Sequence, residues 1–283
     1  MIKYTFVSLG SLESFGIRFG GAGLGNILFP WAKAIIYAKK YNLKRIQTTW
    51  KNIKIGPFIR RERDNRMYFN LFSGSDGITG IKKFLLLNFS NKVKVFSGMD
   101  GLFETFINDR NFILSELLKI INPSYLQKVS KFNHNSIAIH IRMGDFEVVE
   151  DEKKLRSGHW NCRLPFKWYK SMIDKIRKES SLPIYIFSDA SNEELGEILE
   201  LEDCQRMDLG SSISDMLALS HARVLIASAS TFSMWASFLG QNPTIWFPGQ
   251  MRQKLITNTL VFEGEIDYDD RLDESLIEVL RND

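Results

Sequence analysis

The sequence predicts an α/β protein built on parallel sheet, and three observations carry that prediction. Short β-rich runs alternate with segments whose apolar residues recur three and four apart, and parallel strands need such helical crossovers. The length of 283 residues, 44% of them hydrophobic, is enough for one large unit or two smaller lobes with separate cores. A polar stretch with a proline, Asn122 to Asn135, divides the pattern near its middle and sets the expected lobes at 1–134 and 135–283.

From the amino terminus, Tyr4–Leu9 reads as the first strand; it lacks the basic flank and long apolar run of a signal peptide. Gly20-Gly21-Ala22-Gly23-Leu24-Gly25-Asn26 then opens into a helix expected over Asn26–Lys40, carrying Leu28, Phe29, Trp31 and Ala32. This turn is not the dinucleotide G-x-G-x-x-G, because Asn26 stands where the set begun by Gly21 and Gly23 would finish. No Gly-Lys-Ser/Thr makes it a P-loop either. Two readings stand: a tight structural turn, or glycines that let backbone approach a ligand, with Asn26 capping the helix or offering its amide to a sugar or phosphate. Arg60, Arg61, Arg63 and Arg66 make a locally basic segment, read as a solvated loop ahead of a membrane contact. Lys92–Phe96 is the next strand.

In the second half, strands are expected at Ile137–Ile141, Ile184–Ser188, Val224–Ala227 and Thr244–Phe247. Helices are expected at Pro165–Lys178, Ile213–Ala222, Phe232–Leu239 and Glu274–Leu280. That order is Rossmann-like, and in such folds ligands sit beyond the carboxyl ends of the strands. Chemistry is therefore sought just after each strand.

His140-Ile141-Arg142-Met143-Gly144-Asp145 follows the strand Ile137–Ile141. Alternation puts His140 and Arg142 on one side of the strand end, and Gly144 is expected to permit a turn. Arg142 suits a pyrophosphate because its planar fork makes two charge-assisted hydrogen bonds and keeps its proton. The competing reading is a surface arginine paired with Asp145 and a histidine satisfied by backbone. After Val224–Ala227, the hydroxyls of Ser228, Ser230, Thr231 and Ser233 crowd a helix start. They cap its free amides or, with the helix dipole, hold a phosphate. Asp189, at the end of Phe187-Ser188-Asp189, can accept hydrogens from a guanine edge or a ribose, or cap a helix suggested over Asn192–Leu199.

Composition excludes other classes. Lys and Arg exceed Asp and Glu by only 37 to 33, which argues against a nucleic-acid partner and suits phosphorylated substrates. Cys162 and Cys204 make neither a disulfide framework nor a zinc spacing, and the four histidines show no i, i+4 pair. No run of about eighteen apolar residues reads as a membrane span. Asp267-Tyr268-Asp269 has the D-x-D form that holds a divalent cation in some sugar transferases, and is read here as a solvated acidic loop. No metal or cofactor is expected.

Four of these stretches together resemble glycosyltransferase family 11, the α1,2-fucosyltransferases with the H-x-R-R-x-D signature. Gly23-Leu24-Gly25-Asn26-Ile27-Leu28-Phe29 is similar to the family's G-L-G-N-Q-M-F, and His140–Asp145 to its H-x-R-R-G-D. Phe187-Ser188-Asp189 resembles F-S-D-D, and Ser230-Thr231-Phe232-Ser233-Met234-Trp235 resembles S-T-F-S-W-W, in the same order. Met143 departs from the second arginine and Ala190 from the second aspartate, and a longer stretch separates the first strand from the glycines.

The resemblance implies a GT-B-like protein of two facing Rossmann-like lobes, an acceptor-side lobe followed by a nucleotide-sugar-binding lobe. It implies an inverting enzyme that takes fucose from GDP-fucose without a metal. Arg142 would neutralise the departing phosphate, His140 and Asp189 would contact the guanosine end, and Ser230, Thr231 and Ser233 would lie near the pyrophosphate. Asn26 would face the donor from the other lobe. Asp145 is the proposed base, although pairing with Arg142 would oppose its taking a proton. The expected partners are a nucleotide-sugar donor and an oligosaccharide acceptor of the kind found in surface polysaccharide or O-antigen. A cytoplasmic location is expected, with peripheral contact at the inner face of the membrane through a lipid-linked acceptor. A GT-B transferase with another nucleotide sugar, and a non-catalytic nucleotide- or glycan-binding module, are the alternatives. The loop Glu147–Arg163, with His159 and Trp160, is the expected reader of the acceptor.

Overall fold

The computed structural model describes residues 1–19, 22–53, 68, 70–73 and 77–282. Gly20, Gly21, Arg60, Arg61, Arg63 and Arg66, singled out above, lie outside the described residues. The chain divides into two compact units, Met1–Gln127 and Lys128–Asp283. The division falls ahead of residue 134 because Phe132 packs its ring on Tyr185 and Phe187, which ties the segment before the central strand to the second unit.

The strands of the first unit are β1 (Tyr4–Val7), β2 (Arg18–Phe19), β3 (Lys44–Arg45), β4 (Asn52–Ile53) and β5 (Val93–Phe96). They form a parallel sheet of order β3-β1-β5 and a separate parallel pair, β2 with β4. Helix Leu24–Lys40 begins at Leu24, earlier than expected, and its N-cap is Gly23 rather than Asn26. The amides of Asn26 and Ile27 both donate to the Gly23 carbonyl, at 3.0 and 3.2 Å, which places Asn26 inside the first turn. Leu28, Phe29, Trp31 and Ala32 are fully buried, as the periodicity requires, and Phe29 meets Phe103 edge to face at 4.8 Å. Burial of each such large side chain contributes about 1.5–3 kcal/mol.

The second unit adds β6 (Ile137–Ile141), β7 (Ile184–Ser188), β8 (Cys204–Arg206), β9 (Val224–Ile226), β10 (Thr244–Trp246) and β11 (Glu263–Glu265). All are parallel, in the order β11-β10-β9-β6-β7-β8. β6 is central and buried along its whole length, which is why Ile-Ala-Ile-His-Ile reads as an almost continuous apolar run. β6 and β7 match their expected bounds, while β9 and β10 each stop one residue short of theirs. β8 and β11, not anticipated, are the two edges of the sheet. Gln205, Arg206, Glu263 and Glu265 give them the polar character that hides a strand from its pattern.

Helices Phe166–Arg177, Ser212–His221, Thr231–Gly240 and Glu274–Arg281 lie within a residue or so of their predicted positions. The helix suggested over Asn192–Leu199 is only Gly196–Leu199. Ser191 and Glu194 accept each other's backbone amides, at 2.8 and 3.1 Å, in a capping-box arrangement, and residues 192–195 after it are turns. Both units carry parallel sheet crossed by helices, which is the α/β class that the sequence predicts. No helix among the described residues is long and apolar enough to cross a membrane.

Candidate active site

The strand order reverses at β6. From there the chain builds outward through β7 and β8, then returns to the other side of β6 to lay down β9, β10 and β11. Between the carboxyl ends of β6 and β9 the connections diverge, which opens a crevice at the switch point of a parallel sheet. Arg142 leaves β6 there, and Ser228 to Ser233 leave β9 there.

Arg142 is held by two carboxylates. Its Nη1 lies 2.8 Å from Oδ2 of Asp189, and its Nη2 lies 2.6 Å from Oδ1 of Asp145. The two acids differ in standing. Asp189 is 13% exposed and its Oδ1 also accepts the Met143 amide at 2.8 Å, whereas Asp145 is 42% exposed. Asp189 thus serves the Arg142 loop and does not cap the helix after β7. The pairing with Asp145 anticipated from the sequence is present, together with a second partner that spacing did not show.

The turn expected at Gly144 is present, closed by the Phe146 amide on the Met143 carbonyl at 3.0 Å, but glycine is needed there for a further reason. Its φ is not in the left-handed region; a Cβ at this position would stand 2.2 Å from Oδ2 of Asp189. The missing side chain is what lets the carboxylate reach Arg142.

His140 and the serines form one buried cluster. The imidazole Nδ1 is 2.8 Å from the Ser233 hydroxyl and 2.9 Å from that of Ser228, and the Ser228 hydroxyl is 2.9 Å from that of Ser230. Ser233 also accepts the Ser228 amide at 3.0 Å, while Ser230 caps helix Thr231–Gly240 by accepting the Ser233 amide at 3.3 Å. Burial first, and the nearby Arg142 charge second, push the His140 imidazole down to about 3, so it is neutral at any working pH. The alternative of a histidine satisfied by backbone is replaced by one satisfied through serine hydroxyls. Ser233 has no exposed surface, so it and His140 fix the start of the helix, and Ser230 and Thr231 are the more outward of the four predicted positions.

A strand-end arginine beside a hydroxyl-rich helix start is an anion-binding arrangement. The model of the family described as glycosyl transferase family 11 matches residues 82–251, more than half of the sequence and all of this site. The chain belongs to glycosyl transferase family 11. Among solved structures it is similar to POFUT1 in complex with GDP, at 13% identity, covering 87% of this chain and 98% of that one with a TM-score of 0.45. It is also similar to the fucosyltransferase NodZ from Bradyrhizobium, at 13% identity, 88% and 97% coverage and a TM-score of 0.44. A variant of Arabidopsis thaliana FUT1 in complex with GDP matches at 12% identity, 87% and 71% coverage and a TM-score of 0.49. No curated protein matches the sequence.

The sequence did not show the role of two residues of this family 11 site. Arg163 donates through Nε to the carbonyls of Met143 (3.0 Å) and Phe146 (3.1 Å), and through Nη2 to that of Gly144 (3.3 Å). It gathers the loop that carries Arg142 and Asp145. Ser228 stood in the hydroxyl run, but its role as the bridge between His140 and Ser230 needed coordinates. Met143, where the family pattern has a second arginine, packs half-buried against the hydrophobic core, and Ala190 is buried. Asn26 belongs to the first unit.

The D-x-D segment is not the solvated loop expected. Asp267 accepts both Nη atoms of Arg156, Tyr268 donates to Glu152 at 2.9 Å, and Lys175 reaches the carbonyls of Tyr268 and Asp270 at 2.5 and 2.6 Å. It is a strap that ties the segment after β11 to two helices. No group of His, Cys, Asp or Glu among the described residues could hold a metal ion, and both cysteines are free and buried.

Proposed function

We propose that this chain is an inverting, metal-independent transferase that moves fucose from GDP-fucose to a glycan hydroxyl. The proposed linkage is α1,2, formed on the cytoplasmic side during synthesis of a surface polysaccharide or O-antigen. The observation that supports it best is Arg142 at the switch point, with one guanidinium edge on half-buried Asp189 and the other on exposed Asp145. Membership of family 11 and the four ordered motifs support the donor.

The diphosphate of the donor takes the outer edge of Arg142 in place of Asp145, while Asp189 keeps the guanidinium oriented. Ser230, Thr231 and the start of their helix lie near the pyrophosphate, with the helix dipole favouring its charge. Buried His140 and Ser233 hold that helix start in place. The acceptor oxygen attacks the anomeric carbon from the face opposite the diphosphate; the bond to the phosphate oxygen breaks as the new glycosidic bond forms. The charge that then develops on GDP is met by a guanidinium already in position, which is where a fixed cation lowers the barrier. Asp145, freed from Arg142, takes the acceptor proton. Asn26 is assigned to the donor as part of the same reading.

The test is transfer from a panel of nucleotide sugars to a glycan array, read by mass spectrometry. Arg142→Ala should raise the barrier by about 2.7–4 kcal/mol, a loss of about 10²–10³ in rate, with a melting curve close to that of the wild type. Unfolding of the variant would return Arg142 to a structural ion pair. Met143 favours a second reading, since the site lacks the other arginine of the family pattern. Turnover of GDP-mannose or a UDP-sugar in place of GDP-fucose would move the donor while keeping the reaction.

A further inference from the structure

Arg142 has a third neighbour besides its two carboxylates. Its guanidinium lies over the Phe146 ring, with the central carbon 5.4 Å from the ring centre, which is within reach of a cation–π contact. A planar guanidinium offers its nitrogens to carboxylates and phosphates and its faces to aromatic rings. Here Asp189 and Asp145 hold the nitrogens and an aromatic ring lies beneath.

The loop holds Phe146 in that place from both sides of its α-carbon. The Phe146 amide donates to the Met143 carbonyl at 3.0 Å, and its carbonyl accepts from Arg163 Nε at 3.1 Å. Met143 and Val149 pack against the hydrophobic core of the second unit; Phe146 is half-buried and is not among the described residues that do so. Its ring is left to the guanidinium rather than to the core.

The two kinds of contact serve different ends. A diphosphate needs the nitrogens that Asp145 occupies, so that carboxylate must leave, whereas Phe146 competes with no anion for them. Once Asp145 is displaced, Asp189 and Phe146 still hold the fork, one at a nitrogen and one from beneath. A ring under the guanidinium also keeps water away from it, and charges act on each other more strongly where water is excluded.

We propose that Phe146 is a positioning residue for the diphosphate: stacked on Arg142, it keeps the freed guanidinium edge turned toward the terminal phosphate of the nucleotide. This rests on the reading of Arg142 as the ligand of the diphosphate and adds the residue that sets its orientation.

The test is calorimetric titration of the full chain with GDP and with GMP, which differ by the terminal phosphate. The wild type should prefer GDP. Phe146→Leu keeps apolar bulk without the π face, and should lower the ratio of the two affinities about fivefold with a melting temperature close to that of the wild type. Phe146→Tyr keeps the ring and should keep the ratio; Phe146→Met repeats the comparison if the leucine variant melts early. Arg142→Ala should abolish the preference, and adding Phe146→Leu to it should change the ratio no further, since the ring acts through the guanidinium. A wild-type preference that survives in Phe146→Leu, or that Leu and Tyr lower alike, overturns the proposal and leaves Arg142 as the ligand. Equal binding of the two nucleotides by the wild type, or a preference that persists in Arg142→Ala, removes the reading of Arg142 and the role of Phe146 with it.

Discussion

Acid should destabilise this protein through His140, and the size of the effect follows from its surroundings. In the unfolded chain the imidazole has its ordinary value of 6.5; in the fold, burial and then the Arg142 charge push it to about 3. Between those values the unfolded chain holds a proton that the folded site refuses. Stability therefore rises with pH across that window and is lost as pH falls through it. One proton gives a slope of about 1.4 kcal/mol per pH unit, so acidification by about two units below the unfolded value removes about 2.7 kcal/mol.

His140→Asn keeps a neutral polar side chain without the titration. Its stability near neutrality should be lower, because Ser228 and Ser233 lose their shared partner, but its acid dependence should lack this component. The assay is urea denaturation of both proteins at a series of pH values, read as the difference in unfolding free energy. That difference should shrink by about 1.4 kcal/mol per unit below the unfolded histidine value. Two parallel curves would mean that His140 titrates normally, and the buried neutral cluster with Ser228 and Ser233 would be wrong.

Three further outcomes are expected. Gly144→Ala should drive Asp189 away from Arg142, because the added methyl occupies its carboxylate's place. Transfer should fall along with about 1–3 kcal/mol of stability, and unchanged kinetics would remove Asp189 from the site. Arg163→Ala releases three loop carbonyls and should raise the KM for the donor more than it lowers kcat; an unaltered KM would make the clasp irrelevant to binding. Transfer should survive treatment with a metal chelator, and a loss restored by added magnesium or manganese would contradict the metal-independent mechanism.

The legible parts of the molecule were those whose signal is local. The apolar run Ile137–Ile141 announced a buried strand, and the three-and-four spacing of Leu28, Phe29, Trp31 and Ala32 announced a buried helix face. The hydroxyls at Ser228, Ser230, Thr231 and Ser233 announced a helix start after a strand. Edge strands β8 and β11 gave no such signal, since an edge carries polar residues. Helix Gly80–Phe89 gives no clear signal because Phe84 to Leu87 form an unbroken apolar run, which periodicity cannot assign to helix or strand.

By itself, then, the sequence determined the α/β class, the strand ends that carry Arg142 and the serines, and the residue types suited to an anion, since periodicity and motif order are properties of neighbours along the chain. Only the tertiary structure decided which strand ends share the switch point, that Asp189 crosses from β7 to grip Arg142, and that His140 turns inward to the serines rather than outward. Those outcomes depend on contacts between residues such as His140 and Ser233, far apart in the chain. No spacing rule encodes such contacts; the order of strands in the folded sheet creates them.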